Sequence, residues 1–187
     1  FTALVLVLES FALYVFLAAD VLVFYIVFEV TLIPMYFLIA GWGGPERARA
    51  AVKFLLYSLA GGLVMLFGVV GLGFAAAQNG LPSYLLSDLT QVGMSPWLQT
   101  VLFWSFFVAF AIKAPMVPVH TWLPSTAEQA SPGTSTLLVG ILDKIGTFGM
   151  IKFCLALFPA ASARFAPYIV ALAVVSILYG AIAAIGQ

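Results

Sequence analysis

Six long apolar stretches, separated by short segments rich in glycine, proline and polar residues, constrain the fold of this chain more than any other feature. A helix needs about 20 mainly apolar residues to cross the ~30 Å hydrocarbon core of a bilayer, whereas a transmembrane strand needs about half that number. The sequence therefore predicts an all-α, polytopic transmembrane bundle, a single-domain fragment of about six spans. The predicted spans cover residues 1–18, 21–41, 50–76, 97–118, 133–158 and 166–186.

Charged residues are too rare in this chain to build a water-facing surface. They make up 7% of the 187 residues, against about 25% in soluble domains. The lipid bilayer is therefore the predicted solvent, and the lack of clustered Lys and Arg argues against a nucleic-acid partner. A single cysteine, Cys154, and a single histidine, His120, argue against a multi-cysteine metal site and a bis-histidine haem. We expect no metal and no cofactor in this chain.

The ends and connections indicate how the chain is placed. The sequence begins with Phe rather than Met, and neither end has a polar tail, so we expect a fragment of a longer protein. Three basic residues, Arg47, Arg49 and Lys53, flank the connection at 42–50, whereas the connection at 77–96 has none. The excess of basic residues in cytoplasmic loops predicts that 42–50 is cytoplasmic and that 77–96 lies on the opposite side.

Two prolines interrupt the fourth predicted span. Pro115 and Pro118 each lack an amide donor and clash with the preceding helical turn, so the helix should break just after Lys113, within 113–118. Broken helices at membrane depth occur where they are buried in protein or line a wet cavity. We expect the carbonyl groups freed by the prolines to solvate the Lys113 ammonium group.

Isolated ionisable residues inside the apolar stretches are candidates for proton movement. A charge at the bilayer centre costs at least ~2.5 kcal/mol on insertion scales, and such residues are usually paired, hydrated or functional. Glu29 is the only charged residue of its span and lies about 13 Å from the span's start. Lys113 stands at the predicted break, and Lys144 lies inside the fifth span. A buried lysine can release and rebind a proton.

Each of these candidates also has a purely structural interpretation. Glu29 could simply hydrogen-bond a neighbouring helix, and Lys113 could form a structural ion pair with Glu29. Asp143 and Lys144 are adjacent, so their side chains point about 100° apart and should address different neighbours. The alternative for these two residues is a local pair of compensating charges.

Lys53, His120 and Asp143 are secondary candidates. Lys53 could extend to the membrane interface or turn inward toward the acid of the second span. His120 could carry a proton or could only pack against its neighbours. Glu9 and Lys152 lie nearer the ends of their predicted spans, where extension to the interface is the expected behaviour.

Three segments carry a resemblance to a known family. They run from Phe28 to Leu38, from Lys113 to Pro124 and from Leu142 to Met150. In that order they resemble the fifth, the broken seventh and the eighth helices of the M-type (chain 4) antiporter-like membrane subunits of bacterial respiratory complex I, the NADH–quinone oxidoreductase. Residues 131–151 are similar to actinobacterial members in particular.

The resemblance implies a fold, a function and partners. The implied fold is a bundle of antiporter-like type, built on inverted five-helix repeats, of which this chain supplies the fourth to the ninth helix. The implied function is proton translocation coupled to electron transfer in other subunits, where flavin, iron–sulfur clusters and quinone are expected. The implied partners are the lipid bilayer and the other membrane-arm and peripheral-arm subunits, especially neighbouring antiporter-like subunits. The implied location is the bacterial inner membrane.

The resemblance also implies roles for the matched residues. Glu29 corresponds to the acid that pairs with the lysine of the broken helix, here Lys113. Lys144 corresponds to the central lysine of the proton path, and Lys53 to a lysine near that acid. Asp143 replaces a residue that is usually apolar. Two other functions remain open, namely a cation/proton antiporter or membrane hydrogenase subunit, and a membrane scaffold whose buried charges only fix helix packing.

Overall fold

The computed structural model describes residues 1–186, which are almost entirely helical. Over these residues the structure has no β-strand, and the one isolated β-bridge joins Asp20 to Leu85. The prediction of an all-α fold is therefore confirmed. The α-helices are α1 (Thr2–Leu17), α2 (Val21–Val30), α3 (Leu32–Trp42), α4 (Arg47–Gln78), α5 (Leu86–Leu89), α6 (Pro96–Lys113), α7 (Trp122–Gln129), α8 (Pro132–Leu137), α9 (Asp143–Gly149), α10 (Leu155–Leu157) and α11 (Pro159–Ile185).

Four helical segments are long and apolar enough to cross a membrane, and α1 is a shorter apolar helix. The second predicted span is the pair α2–α3, in which Thr31 forms the junction and donates its hydroxyl to the Phe28 carbonyl at 2.6 Å. The third predicted span lies inside the longer helix α4. The fourth is α6, which ends at Lys113 as the proline pair predicted, so the regular helix stops short of residue 118.

The fifth predicted span forms one uninterrupted helical run, from α8 through α9 to α10. Two π-helical segments, Leu138–Leu142 and Met150–Cys154, lie on either side of α9. Each π-helical turn contains an extra residue relative to an α-helix and changes the face on which later residues lie. The α9 segment, with Asp143 as its first residue, is the regular α-helical part between the two π-helical segments.

The sixth predicted span begins earlier than the sequence suggested. We expected a start near 166, with Pro159 and Pro167 on either side of a turn, but α11 begins at Pro159 and contains Pro167. Proline at the first helical position costs little because the amide there has no partner in the helix. Pro167 removes one helical hydrogen bond, and the helix continues past it to Ile185.

The packing of α4 against α6 forms the centre of the bundle. Glycines of α4 allow this close approach, because a Cβ atom at Gly61 would lie 3.5 Å from the Ala109 backbone and one at Gly68 would clash with Ser105. Small residues of this kind let the backbones of membrane helices approach closely. One apolar cluster surrounds Phe110, and a second surrounds Phe54. The ionisable residues described next lie around the C-terminal half of α6, where the two clusters meet.

Candidate functional site

Three carbonyl groups at the broken end of α6 accept hydrogen bonds from the chain that follows. The indole of Trp122, at the start of α7, donates to the Ile112 carbonyl at 2.8 Å. The Met116 amide donates to the Ala111 carbonyl at 2.9 Å, and the Ala114 amide donates to the Phe110 carbonyl at 2.7 Å. The expectation that freed carbonyls solvate Lys113 is wrong, because its Nζ atom has no hydrogen-bond partner in the described structure, and the Ala111 and Ile112 carbonyls bind the chain after the break instead.

Lys113 is the last residue of α6, and its side chain lies in the interior of the bundle. It is 2% exposed. Its Nζ atom lies 5.1 Å from the centre of the Phe28 ring and 5.5 Å from the centre of the Phe54 ring. Among the residues that the structure describes, this ammonium group has no hydrogen-bond partner. Contact with aromatic faces supplies only part of the solvation that water would give a cation.

Glu29 faces the same interior from α2, with its carboxylate lying against Gly62 of α4. A Cβ atom at Gly62 would clash with this carboxylate, so the glycine provides the space that Glu29 occupies. The buried Oε1 atom of Glu29 has no hydrogen-bond partner within residues 1–186. The direct Glu29–Lys113 contact implied by the resemblance is therefore absent. The carboxylate lies against α4 while the ammonium lies between two rings, and the two charges act on each other through space.

Asp143 approaches Lys113 from a third helix. It is 6% exposed, and its buried Oδ1 atom has no partner in the described part of the chain. One turn later, Gly146 fits directly against the broken end of α6, since a Cβ atom there would lie 2.8 Å from the Phe110 carbonyl oxygen. Glu29 and Asp143 both lie close enough to Lys113 to attract its positive charge. Sequence reasoning ranked Asp143 as secondary, but the structure places it within the central group.

Lys144 points away from this group. It is exposed on the outer face of α9, whereas its neighbour Asp143 is buried. The prediction that these two adjacent side chains address different surroundings is confirmed, and no hydrogen bond between them occurs in the described structure. Lys144 therefore lies at the edge of the part of the bundle formed by this chain.

Lys53 binds the segment that follows the break. Its Nζ atom donates to the Thr121 carbonyl at 2.5 Å and to the Ser125 hydroxyl at 3.1 Å. The Tyr57 hydroxyl, one turn later on α4, lies 2.8 Å from the Thr121 hydroxyl. Lys53 therefore does not turn toward Glu29, whereas its extension to the membrane interface stays a prediction. The two free acceptors lie on the start of α7, and Lys53 fixes that helix against α4.

His120 lies beside a large cavity between the broken segment and α11. The cavity has a volume of about 1050 Å³, and Lys53, Ser176 and Tyr179 are among its lining residues. The His120 ring meets the Tyr179 ring edge to face at 4.9 Å, so the histidine does pack against a neighbour. Its buried Nδ1 atom has no partner within residues 1–186. The role of His120 as a proton carrier stays a prediction.

Two further charged residues, Lys152 and Glu9, were expected to extend to the membrane interface. The Nζ atom of Lys152 donates to the carbonyl of Ala18, just past the end of α1, at 2.5 Å. Its side chain lies against the rings of Phe148 and Phe153. Glu9 lies near the middle of α1 rather than near an end, and its side chain is exposed. Lys152 therefore binds the C-terminal end of α1, a contact that the apolar sequence of the fifth span could not reveal.

Gly62 is the site residue that sequence reasoning missed. Its contribution is the absence of a side chain opposite Glu29. The adjacent glycines Gly61 and Gly62 in an otherwise apolar span were the available signal, because such pairs indicate close approach of another group. No group of three or more potential metal-binding side chains occurs over residues 1–186.

Comparison with known proteins identifies the family of this chain. Residues 18–187 match the model of the transmembrane family described as "NADH:quinone oxidoreductase/Mrp antiporter, TM". The chain belongs to this family. The match covers every ionisable residue of the central group, as well as the broken helix.

Relatives and solved structures of the NADH:quinone oxidoreductase/Mrp antiporter family show the same relationship. NADH-quinone oxidoreductase subunit M of Mycobacterium tuberculosis is 48% identical over 100% of this chain, which spans 35% of that protein. A chain of respiratory complex I from Thermus thermophilus matches with a TM-score of 0.90 and 37% identity, over 98% of this chain and 39% of that one. The higher identity to the mycobacterial protein accords with the actinobacterial likeness of residues 131–151.

A more distant structure belongs to the other branch in the family's description. A chain of the Mrp complex from Dietzia matches with a TM-score of 0.68 and 27% identity, over 81% of this chain and 17% of that one. The chain spans about a third of the length of the mycobacterial subunit M. The antiporter-like fold predicted from the sequence is confirmed.

Proposed function

We propose that this chain is part of a proton-translocating membrane subunit of an NADH:quinone oxidoreductase. The observation that carries the proposal is the group formed by Glu29, Lys113 and Asp143, three ionisable side chains from three helices whose buried atoms lack hydrogen-bond partners. A structural ion pair would be expected to close into direct contacts, since an unpaired buried charge is costly. A group of buried charges without direct contacts can instead bind water, exchange protons or change its side-chain positions.

Lys113 is the proposed centre of this machinery because it is the cation that both acids attract. Two charges about 4 Å apart interact by ~4 kcal/mol at an effective dielectric constant of 20. A change in that interaction alters a proton-transfer equilibrium by about three powers of ten. A charge change in a neighbouring subunit that draws Glu29 toward Lys113 would therefore hold the Lys113 proton. A change that draws Glu29 away would release this proton, which then moves toward Lys144.

The partners and location follow from the same proposal. In this proposal electron transfer from NADH to quinone takes place in other subunits, which hold the flavin and iron–sulfur clusters. Neighbouring antiporter-like subunits and lipid surround it in the bacterial inner membrane. The connection at 42–50 faces the cytoplasm, supported by Arg47 and Arg49 at the exposed start of α4.

A Lys144→Ala variant of the assembled complex tests the proposal. We expect proton pumping per NADH oxidised to fall by about tenfold or more, because a positioned acid–base group contributes at least that much to proton transfer. The complex should still assemble, since Lys144 is exposed and makes no hydrogen bond in the described structure. The measurement combines acidification by inverted membrane vesicles with NADH–quinone activity and native-gel assembly.

The outcomes separate the proposal from a scaffold. A complex that assembles, oxidises NADH and pumps as the wild type does would show that Lys144 carries no proton and that the buried charges only fix packing. A complex that assembles and transfers electrons with little pumping supports translocation through this chain.

A cation/proton antiporter is the second candidate function. The observation that favours it is the likeness to a chain of the Mrp complex, which reaches 27% identity. The discriminating measurement is transport by the membranes of the source organism with the gene deleted. Loss of sodium-dependent proton exchange with NADH–quinone pumping intact would favour the antiporter, and the reverse result would favour the oxidoreductase subunit.

A further inference from the structure

Asp143 is a buried acid that interacts with both lysines of the proposed path. Its side chain is 6% exposed, and its Oδ1 atom has no partner in the described structure. Lys113 and Lys144 both lie close enough to this acid to attract its negative charge. A buried carboxyl group without a hydrogen-bond partner is costly, and such groups in membrane helices are typically functional.

The backbone holds Asp143 at this place. Gly146 lies one turn further along α9, on the same face, and it contacts the broken end of α6 so closely that a Cβ atom there would lie 2.7 Å from the Ala114 amide nitrogen. Residues at positions i and i+3 of a helix share a face, so this contact directs Asp143 toward the same end of α6. Lys113 is the last residue of that helix.

The two lysines lie on different sides of α9. Lys113 is in the interior, while Lys144 is exposed on the outer face of the helix. A proton that moves between them must therefore leave the interior past α9. The charged groups that act on Lys113 in the described structure are Glu29, from the side of α2, and Asp143, from the side of α9. Asp143 is the one that lies toward Lys144.

We propose that Asp143 is a proton-carrying residue that accepts the proton of Lys113 and passes it to Lys144, an inference that rests on the proposed translocation function. In the first step an N–H bond of the Lys113 ammonium breaks and an O–H bond forms on the Asp143 carboxylate, which leaves a neutral amine and a neutral acid. In the second step that O–H bond breaks and an N–H bond forms on the neutral Lys144 amine. Only a proton moves, and no electron is exchanged.

An Asp143→Asn variant tests this relay in the assembled complex. Asparagine keeps the shape of the side chain but cannot carry the proton, so we expect pumping per NADH to fall by about tenfold or more, to the level of Lys144→Ala. Asp143→Glu keeps a carboxyl group and should recover part of the loss. Asp88→Asn makes the same chemical change outside the bundle interior, on α5, and should pump as the wild type does.

The outcomes distinguish the relay from the proposed function. Full pumping by Asp143→Asn, with pumping lost in Lys144→Ala, would overturn the relay and leave the proposed function standing. Full pumping by both variants would overturn both. If Asp143→Asn does not assemble, the smaller Asp143→Ser replaces it, and the same two results decide, because serine also lacks a carboxyl group.

Discussion

Two lysines of this chain, the half-buried Lys152 and the buried Lys113, each lie beside two aromatic rings but differ in hydrogen bonding. Lys152 donates to the Ala18 carbonyl at 2.5 Å, which closes the end of α1. Lys113 is more deeply buried, yet its ammonium group lies between aromatic rings with no hydrogen-bond partner in the described structure. Both lysines lie in apolar helices, so position in the sequence does not distinguish them.

The presence or absence of a hydrogen-bond acceptor distinguishes a lysine that stabilises the fold from a lysine that can exchange its proton. A charge-assisted hydrogen bond stabilises a fold by about 1.5–3 kcal/mol, and a cation held in this way has little reason to release its proton. A cation without such a bond is held only by electrostatic attraction to nearby acids. A movement of one of these acids can therefore change how readily the cation releases its proton. Lys113 and its two acids, Glu29 and Asp143, have this second character.

Among the variants that leave every ionisable group of the site in place, the largest effect is expected from removing the space that Glu29 occupies. In a Gly62→Ala variant the new Cβ atom would overlap the Glu29 carboxylate, which sits at the end of a flexible side chain and must therefore move. We expect the complex to assemble, because no backbone atom is among the three nearest contacts, and pumping per NADH to fall severalfold. The readout is vesicle acidification normalised to NADH oxidation.

Gly41→Ala is the matched control for that variant. It adds the same methyl group near the end of α3, where a Cβ atom would meet nothing within 4 Å. Equal pumping by the two variants would contradict the view that the position of the Glu29 carboxylate controls Lys113.

A smaller effect, on stability rather than on pumping, is expected at Lys152. In a Lys152→Met variant an apolar side chain of similar length takes the place of the ammonium group beside Phe148 and Phe153, but the Ala18 carbonyl loses its donor. An unsatisfied buried carbonyl costs about 1–3 kcal/mol. The thermal unfolding midpoint of the complex should therefore fall by a few degrees, while pumping per NADH at growth temperature stays at the wild-type value. Loss of pumping in a fully assembled complex would remove the distinction between the two lysines.

The sequence predicted the fold well because apolar length and proline chemistry act locally. The run of apolar residues in α4 and the proline pair after Lys113 determine their own structures, whatever packs around them. The start of α11 was misplaced because proline has two opposite effects on a helix. Pro159 is accepted at the first turn, and Pro167 is tolerated inside, so counting prolines as turns moved the boundary.

The site was only partly predictable, because it depends on which residues of different helices meet. Isolation in an apolar span was enough to identify Glu29 and Lys113. The same signal could not show that Lys53 would find acceptors on α7, or that Lys152 would reach a carbonyl of α1. The importance of Gly62 depends on the side chain opposite it, which no property of its own span contains.

Proton pumping per NADH oxidised in a Lys113→Met variant, compared with Lys152→Met, decides whether the unpartnered lysine is the one that takes part in translocation. Methionine has nearly the length of lysine but carries no proton, so packing changes little in either variant. We expect assembled complexes in both cases, with pumping reduced by about tenfold or more in Lys113→Met and unchanged in Lys152→Met. Wild-type pumping by an assembled Lys113→Met complex would contradict this expectation, because the unpartnered lysine would then be dispensable for translocation.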